Sequence, residues 1–162
     1  MKKLGFGMMR LPLIEGGGDK DVDLARTCAM VDAFLQRGYA YFDTAYFYHA
    51  HNSENVVRQA LVERHPRSGF VLADKLPVVL LKEPADQVRI FDEQLKKCGV
   101  DYFDYYLLHS LDAEHYATAQ RLDSFGFAQQ KKAEGRIRHL GFSFHDTADV
   151  LDRILTDHPE VD

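Results

Sequence analysis

The sequence of 162 residues has little of several features that mark large classes of proteins. It contains no tryptophan and only two cysteines, Cys28 and Cys98. Two cysteines allow at most one disulfide, and both lie on apolar faces of predicted helices, so we expect buried free thiols. The formal net charge is −5, and this acidic balance gives no electrostatic reason to expect a nucleic acid or an anionic membrane as a partner.

Long apolar runs are missing as well. No run approaches the roughly 18 apolar residues expected of a membrane-spanning helix. The first residues resemble the start of a signal peptide only superficially, because Arg10, Pro12 and Glu15 interrupt the apolar stretch. We therefore expect no membrane partner and a cytoplasmic location. The composition, 46% hydrophobic and 28% charged, is ordinary for a globular domain with a core.

Strand and helix patterns alternate along the chain. Strands are predicted over residues 4–9, 41–43, 70–75, 102–108 and 137–143. Five helices are predicted between and after the strands. The first has the apolar face Leu24, Cys28, Val31 and Leu35, and the second is capped by Asn52 or Ser53 and stopped by His65-Pro66. The third covers 84–98 with the apolar face Val88, Phe91, Leu95 and Cys98, and the last two cover about 117–133 and about 147–155. Five strands alternating with five helices indicate a parallel sheet covered by helices.

Two architectures fit this alternation, an open doubly wound sheet and a (β/α)8 barrel. The first strand–helix turn, Gly5-Phe6-Gly7-Met8-Met9-Arg10, lacks the third glycine of the dinucleotide-binding fingerprint, which favours the barrel. A complete barrel typically needs about 250 residues. We therefore predict an α/β fold of the (β/α)8 TIM-barrel type that is incomplete, with about five βα units. Residues 1–162 are predicted to form one partial barrel domain whose C-terminal part is missing.

Polar residues recur where the predicted strands end. They are Asp43, Lys75, His109 and Ser143, at successive intervals of 32, 34 and 34 residues. A strand with its crossover helix occupies about 30 residues or more, so the spacing indicates one polar group in each βα unit. Because parallel α/β folds place their chemistry at the carboxyl ends of the strands, we expect these groups to share one site.

The residue types in this row suit proton transfer. Lys75 ends a strand that is predicted to be buried, so its ammonium needs a carboxylate partner, and Asp43 one strand away is the natural candidate. Tyr48 follows the same strand as Asp43; a tyrosine, with a reference pKa of about 10, is a poor acid unless a cation such as Lys75 stabilises its phenolate. His109 can donate a hydrogen bond to a substrate oxygen that gains negative charge. Since the row offers no nucleophile or metal that breaks a bond unaided, a hydride must come from another molecule.

Five motifs in the chain resemble the aldo-keto reductase superfamily, and they occur in the family's order. They are GFGMMRLP at 5–12, YFDTAYFY at 41–48, LADK at 72–75, YYLLH at 105–109 and GFSFH at 141–145. The resemblance implies a (β/α)8 barrel that reduces carbonyl groups, or oxidises alcohols, with NADPH and without a metal, NADH being possible. The expected substrate is a small carbonyl compound.

The resemblance also implies a role for each matching residue. It gives Tyr48 as the general acid and base, Lys75 and Asp43 as the pair that tunes it, and His109 as the residue that orients the substrate. The implied cofactor-binding residues are Met8, Met9, Asp43 and Ser143, of which Ser143 contacts the nicotinamide carboxamide. Ser53-Glu54 matches the family's usual Ser-Glu pair at the start of the second barrel helix.

The chain departs from the family pattern in two places. Many members have asparagine after the serine of the fifth strand, whereas this chain has Phe144 and His145. This form resembles a bacterial branch whose members often carry a C-terminal iron–sulfur domain, and two cysteines cannot hold a cluster by themselves. The second departure is length, because the loops after strands seven and eight that usually bind cofactor phosphate are missing. We therefore expect the 162-residue chain to be weakly active or inactive and to associate through its open sheet edges.

Three alternatives remain open at the level of sequence. A lysine at a strand end also suits Schiff-base aldolase chemistry on Lys75. His49, His51, His109 and His145 approach one end of the predicted sheet, but loop histidines are more often solvated than metal-bound, so the prediction is no metal. The chain is alternatively a fragment or binding module without catalytic activity.

Overall fold

The five strands form one parallel sheet in the order in which they occur along the chain. The computed structural model describes residues 2–162. Its strands are β1 (Gly5–Gly7), β2 (Tyr41–Asp43), β3 (Val71–Leu76), β4 (Phe103–Leu111) and β5 (Ile137–Phe144). A doubly wound sheet reverses its strand order at a switch point, whereas a barrel adds its strands in sequence. The prediction of an incomplete (β/α)8 barrel is therefore confirmed.

Helices occupy the crossovers between the strands and follow the last one. They are α1 (Leu24–Gln36), α2 (Tyr48–His51, a single turn whose backbone is left-handed at His49 and Ala50), α3 (Ser53–Val57), α4 (Pro84–Cys98), α5 (Ala113–Arg121), α6 (Ser124–Ala133) and α7 (Ala148–Asp157). Three 3₁₀ turns, Met8–Arg10, Arg67–Gly69 and Val78–Leu80, and a π turn, Arg58–Val62, complete the elements. No helix within residues 2–162 is long and apolar enough to cross a membrane.

Several predicted elements differ from the observed ones at their ends or in the middle: the strand predicted over 102–108 runs on to Leu111, and two further elements are interrupted by turns. The predicted strand 4–9 ends at Gly7, because Met8–Arg10 forms a 3₁₀ turn. The predicted helix 117–133 is two helices, α5 and α6, since Asp123 between them takes a left-handed backbone with φ of 52°. Both interruptions are local turns, which periodicity alone does not detect.

The predicted apolar face of α4 is wrong at Val88. Val88 is 45% exposed, whereas the neighbouring Gln87 and the more distant Gln94 are buried. Their amides find partners: Gln87 donates to the carbonyl of Leu122, and Gln94 donates to the carbonyl of Lys75. Hydrogen bonding offsets the cost of burying an amide, so the helix turns two glutamines inward in place of a valine.

The main hydrophobic core lies between the sheet and the helices. Its largest members from the strands are Phe42, Leu72, Leu76, Phe103, Tyr106 and Leu108, and from the helices and turns Met8, Leu61, Ile90, Phe91 and Tyr116. The opposite face of the sheet, which we call the inner face, carries Asp43, Lys75 and His109, since alternate residues of a strand point to opposite faces. The fold thus places one row of polar side chains on the face away from the helical layer.

Candidate active site

Lys75 and Asp43 form the ion pair that the sequence requires. The Nζ atom of Lys75 lies 2.6 Å from Oδ1 of Asp43 and also donates to the carbonyl oxygen of Thr44 at 2.7 Å. The register of β2 against β3 brings these strand ends together, because Asp43 pairs with Ala73, two residues before the lysine. The buried ammonium is thereby compensated by a carboxylate and a second acceptor.

Tyr48 stands on the other side of the same ammonium. Lys75 donates from Nζ to the Tyr48 hydroxyl at 3.3 Å, and Nζ lies 4.9 Å from the centre of the phenol ring. Tyr48 begins the turn α2, five residues after β2 ends at Asp43. One lysine therefore contacts both the carboxylate of Asp43 and the phenol of Tyr48.

His109 faces Tyr48 from β4. The two rings are nearly perpendicular, with centroids 6.0 Å apart. Burial lowers the pKa of His109 to about 4, and the positive charge of Lys75 and the nearby histidines His145 and His115 act in the same direction. The imidazole is therefore neutral at pH 7, and it can donate a hydrogen bond to a substrate oxygen without carrying a charge.

Ser143 lies at the end of β5, next to a bulge in β4. The pairing of β4 with β5 shifts register between Leu108 and Leu111, and Ser110 within this stretch has a left-handed backbone with φ of 55°. The amide of Ser110 donates to Oγ of Ser143 at 2.7 Å. Because that oxygen acts as an acceptor, the hydroxyl proton of Ser143 remains for a bound molecule.

The two predicted cofactor-lining methionines have different surroundings. Met8 is fully buried in the core, whereas Met9 is 54% exposed. Both belong to the 3₁₀ turn that follows β1, at the same edge of the sheet as the other site residues. Of the two, Met9 alone has an exposed side chain.

The histidines of the loop after β2 do not gather into a metal site. No group of three or more His, Cys, Asp or Glu side chains within residues 2–162 is arranged to hold a metal ion. The expectation that these loop histidines are solvated is wrong for His49, which is 4% exposed. Its Nε2 accepts from the amide of Leu11 at 3.1 Å, and its Nδ1 lies 2.9 Å from the carbonyl oxygen of Asp19.

A second polar cluster lies on the face of β3 toward the helices, and neither its burial nor its grouping is among the predictions from the sequence, although Glu54 belongs to the Ser-Glu pair that matches the family. Asp74 and Glu54 are both fully buried there, with the thiol of Cys98 3.7 Å from a carboxyl oxygen of Asp74. Strand alternation offered a signal: Asp74 sits between Leu72 and Leu76 in the half of β3 that points into the core. We call Glu54, Asp74 and Cys98 the outer acidic cluster.

The fold and the site together define a class, that of barrel proteins with a cluster of lysine, aspartate and tyrosine at the carboxyl edge of a parallel sheet. Comparison with known proteins is more specific, because the model of the Aldo/keto reductase family matches residues 3–162. The chain belongs to the aldo/keto reductase family.

Individual relatives agree with this assignment. An uncharacterized oxidoreductase of Schizosaccharomyces pombe is 28% identical over 153 residues, which cover 88% of this chain and 47% of the relative. The aldo-keto reductase AKR11C1 of Bacillus halodurans, solved in its holo form, superposes with a TM-score of 0.73 at 26% identity over 95% of this chain and 49% of its own. An aldo-keto reductase of Klebsiella pneumoniae solved in complex with NADPH has a TM-score of 0.66 and 26% identity, covering 91% of this chain and 47% of its own. The chain spans about half the length of the curated relatives it matches.

Proposed function

We propose that this chain carries the proton-transfer site of an NAD(P)H-dependent carbonyl reductase, which in reverse is an alcohol dehydrogenase. The observation that carries the proposal is the position of one ammonium: Lys75 Nζ lies 2.6 Å from Asp43 and 3.3 Å from the hydroxyl of Tyr48. An ion-paired lysine beside a phenol stabilises the phenolate that remains after the proton has left. The substrate is a small aldehyde or ketone.

The chemistry of the residues follows from their contacts. Tyr48 gives its proton to the carbonyl oxygen while the carbonyl carbon accepts a hydride, so the product is an alcohol and the phenolate regains a proton from solvent. Lys75 stabilises that phenolate, and Asp43 holds Lys75 in place. His109, neutral at pH 7, donates a hydrogen bond to the same substrate oxygen. A nicotinamide cofactor supplies the hydride when it is bound.

The residues of this chain fit the nicotinamide end of such a cofactor. Ser143 has a hydroxyl proton for the carboxamide, and Met9 offers an exposed apolar side chain. The complex of the Klebsiella pneumoniae relative with NADPH favours NADPH, and NADH is the second candidate. The loops after strands seven and eight, which often bind phosphate in barrels, are not among the five βα units of this chain. We therefore propose that the 162 residues alone bind NADPH weakly and turn over slowly.

The experiment that tests the function compares two proteins. One is the 162-residue chain, and the other joins it to the remaining half of the Bacillus halodurans relative. We expect NADPH-dependent reduction of a small aromatic aldehyde by the joined protein and at most traces by the chain alone. Tyr48→Phe should reduce the rate of the joined protein at least about 100-fold. A joined protein that folds and binds NADPH, but reduces the aldehyde equally well with and without the Tyr48→Phe substitution, contradicts the proposal.

The geometry weighs against a Schiff-base aldolase. A lysine attacks a carbonyl only when its nitrogen is free to do so, whereas Nζ of Lys75 is held in an ion pair 2.6 Å from the carboxylate of Asp43. Borohydride in the presence of a carbonyl substrate should leave Lys75 unmodified. A mass increase located on Lys75 would revive the aldolase.

We also propose self-association through the open edges of the sheet and a cytoplasmic location. The outer edge of β5 is only partly covered, where the amide of Asp162 donates to Leu140 at 2.8 Å. Both cysteines are free thiols, which agrees with a reducing compartment. Sedimentation velocity tests the first point: a species that stays monomeric at all concentrations argues against association through the edges.

A further inference from the structure

The turn that begins with Tyr48 has an unusual backbone. Three consecutive residues after Tyr48 have positive φ, 53° at His49, 48° at Ala50 and 68° at His51. The left-handed conformation is unfavourable for residues that carry a Cβ atom. Such strain persists only where surrounding contacts hold the backbone in place.

The side chain of His49 provides two of them. It is almost wholly buried, and its Nε2 accepts a hydrogen bond from the amide of Leu11 at 3.1 Å. Its Nδ1 donates to the carbonyl oxygen of Asp19 at 2.9 Å, with the Asp19 carboxylate 3.4 Å away. One nitrogen accepts and the other donates, so these partners assign the neutral imidazole with its proton on Nδ1.

Both partners of His49 belong to the loop between β1 and α1. Leu11 directly follows the 3₁₀ turn that carries Met9, and Asp19 lies on the far side of the same loop. Asn52, at the end of the Tyr48 turn, adds a third bond by donating to the carbonyl of Lys20 at 2.9 Å. The turn that presents the phenol is thereby fastened to the loop that presents the exposed methionine.

We propose that His49 is a positioning residue, which holds the left-handed turn of Tyr48 against the β1–α1 loop and so sets the place of the phenol beside Lys75. The role of Tyr48 rests on the proposed function, but its place in the structure does not. A single side chain then couples the phenol to the methionine-bearing loop. Loss of the two hydrogen bonds should release the turn, since its backbone is unfavourable without them.

Three variants separate positioning from packing. His49→Phe keeps a ring of similar size and removes both hydrogen bonds. His49→Gln keeps one donor and one acceptor in a single amide. His51→Phe is the matched control, because His51 shares the left-handed backbone two residues further on but its side chain is exposed.

Two measurements by NMR on the 162-residue chain report on the turn without any need for turnover. Amide exchange at Leu11 should accelerate about tenfold in His49→Phe, the size expected for one lost buried hydrogen bond. It should stay within about twofold of the parent in His49→Gln and His51→Phe. The nuclear Overhauser contact between the rings of Tyr48 and His109, whose centroids are 6.0 Å apart, should be lost only in His49→Phe.

The outcomes decide the inference in each case. Faster exchange at Leu11 together with the lost ring contact in His49→Phe, and recovery of both in His49→Gln, supports it. Unchanged exchange in His49→Phe overturns it, and so does the same loss in His51→Phe. If His49→Phe does not fold, His49→Gln decides: a parent-like ring contact supports positioning, and its loss overturns it. Absence of aldehyde reduction by the joined protein would refute the proposed function and leave these signals unaffected.

Discussion

Adjacent residues of β3 meet opposite electrostatic surroundings on the two faces of the sheet. On the inner face, Lys75 is paired with Asp43 at 2.6 Å and contacts the hydroxyl of Tyr48. On the face toward the helices, Asp74 is fully buried with a second carboxyl, Glu54. The backbone links the two faces directly, because the amide of Lys75 donates to a carboxyl oxygen of Asp74 at 2.8 Å.

The two faces differ in how fully their buried charged groups are paired with groups of opposite charge. The inner ammonium donates to a carboxylate oxygen of Asp43, to the carbonyl oxygen of Thr44 and to the hydroxyl of Tyr48, so its burial is compensated. The outer acidic cluster has two carboxyls, with one partly buried ammonium, Lys97, 3.3 Å from Glu54. Within residues 2–162 neither carboxyl oxygen of Glu54 has a hydrogen-bond partner.

The pKa values respond to this imbalance. Burial raises the pKa of Asp74 well above its usual value, and the neighbouring Glu54 raises it further. Burial also raises the pKa of Glu54, against the opposing effect of Lys97. The outer cluster therefore holds its protons to higher pH than an exposed pair of carboxyls would. The charge of Lys75 thus has close oxygen partners at the open edge of the sheet, whereas the two carboxyls buried in the core have one ammonium near them and raised pKa values.

The largest expected effect on stability comes from removing the ion pair between Lys75 and Asp43 on the inner face. Lys75→Met leaves Asp43 without its cation, and we expect the free energy of unfolding at pH 7 to fall by about 3 kcal/mol, as for other broken buried pairs. Urea denaturation measures the change. Lys75→Arg, which keeps a positive charge, is the control and should lose less. Equal stability of the parent and Lys75→Met would mean that the pair contributes nothing.

A smaller change in the free energy of unfolding, a gain this time, is expected from a substitution in the outer acidic cluster. Glu54→Gln replaces one of two buried carboxyls by a neutral amide, and we expect a gain of about 1 kcal/mol at pH 8, the scale of one unsatisfied buried polar group. Glu93→Gln is the matched control, because Glu93 binds the same Lys97 at 2.8 Å but its pKa is lowered. That variant should be neutral or slightly destabilised. A loss of stability in Glu54→Gln comparable to that of Lys75→Met would erase the contrast.

The two faces should also differ in how pH changes stability. The pKa values of Asp74 and Glu54 are raised in the folded state, so above about pH 4 the folded state holds more protons than the unfolded state. The contribution of these two carboxyls to the free energy of unfolding therefore falls as pH rises from the ordinary carboxyl range toward the raised pKa values. His109 acts in reverse: its pKa is about 4 when folded and 6.5 as the reference, so its contribution rises across that interval.

Urea denaturation at several pH values from 4 to about 9 separates these slopes. Glu54→Gln should weaken the fall in stability at higher pH, and His109→Gln should weaken the rise between pH 4 and 6.5. A single slope that neither variant changes would show that other groups control the pH dependence.

The smallest effect on stability is expected for Tyr48→Phe. The hydroxyl is only half-buried and its bond from Lys75 is long, 3.3 Å, so we expect a change within about 0.5 kcal/mol. The same substitution should remove most of the activity of the joined protein, as described above. A loss of more than about 2 kcal/mol would mean that Tyr48 is chiefly a structural residue.

Much of the inner face could be predicted from the sequence. The intervals of 32 and 34 residues placed Asp43, Lys75 and His109 at successive strand ends, and the structure brings them to one edge of the sheet. The Lys75–Asp43 contact was predicted because a buried ammonium requires a partner. The roles of these residues in catalysis, and of Ser143 in binding a cofactor, stay predictions.

The outer face and the Tyr48 turn could not be predicted in the same way. The burial of Glu54 and Asp74 depends on how α3 and α4 pack on β3. Gln87 is buried in place of Val88 because its amide finds an acceptor 35 residues away, the carbonyl of Leu122. The burial of His49 depends on amide and carbonyl groups in a loop about 30 to 38 residues earlier. None of these partners lies within one strand or one helical turn of its residue, so no local pattern records them.

The sequence by itself determined the succession of βα units and the polar residues at the strand ends, because period and spacing set the direction in which a side chain leaves its strand. The family followed from the resemblance of five motifs in the chain. Only the tertiary structure decided which charges are compensated, which histidine is buried and which backbone is strained. Those properties depend on groups that arrive from other segments, and the free energy of a buried polar atom is set by the partner that it finds there.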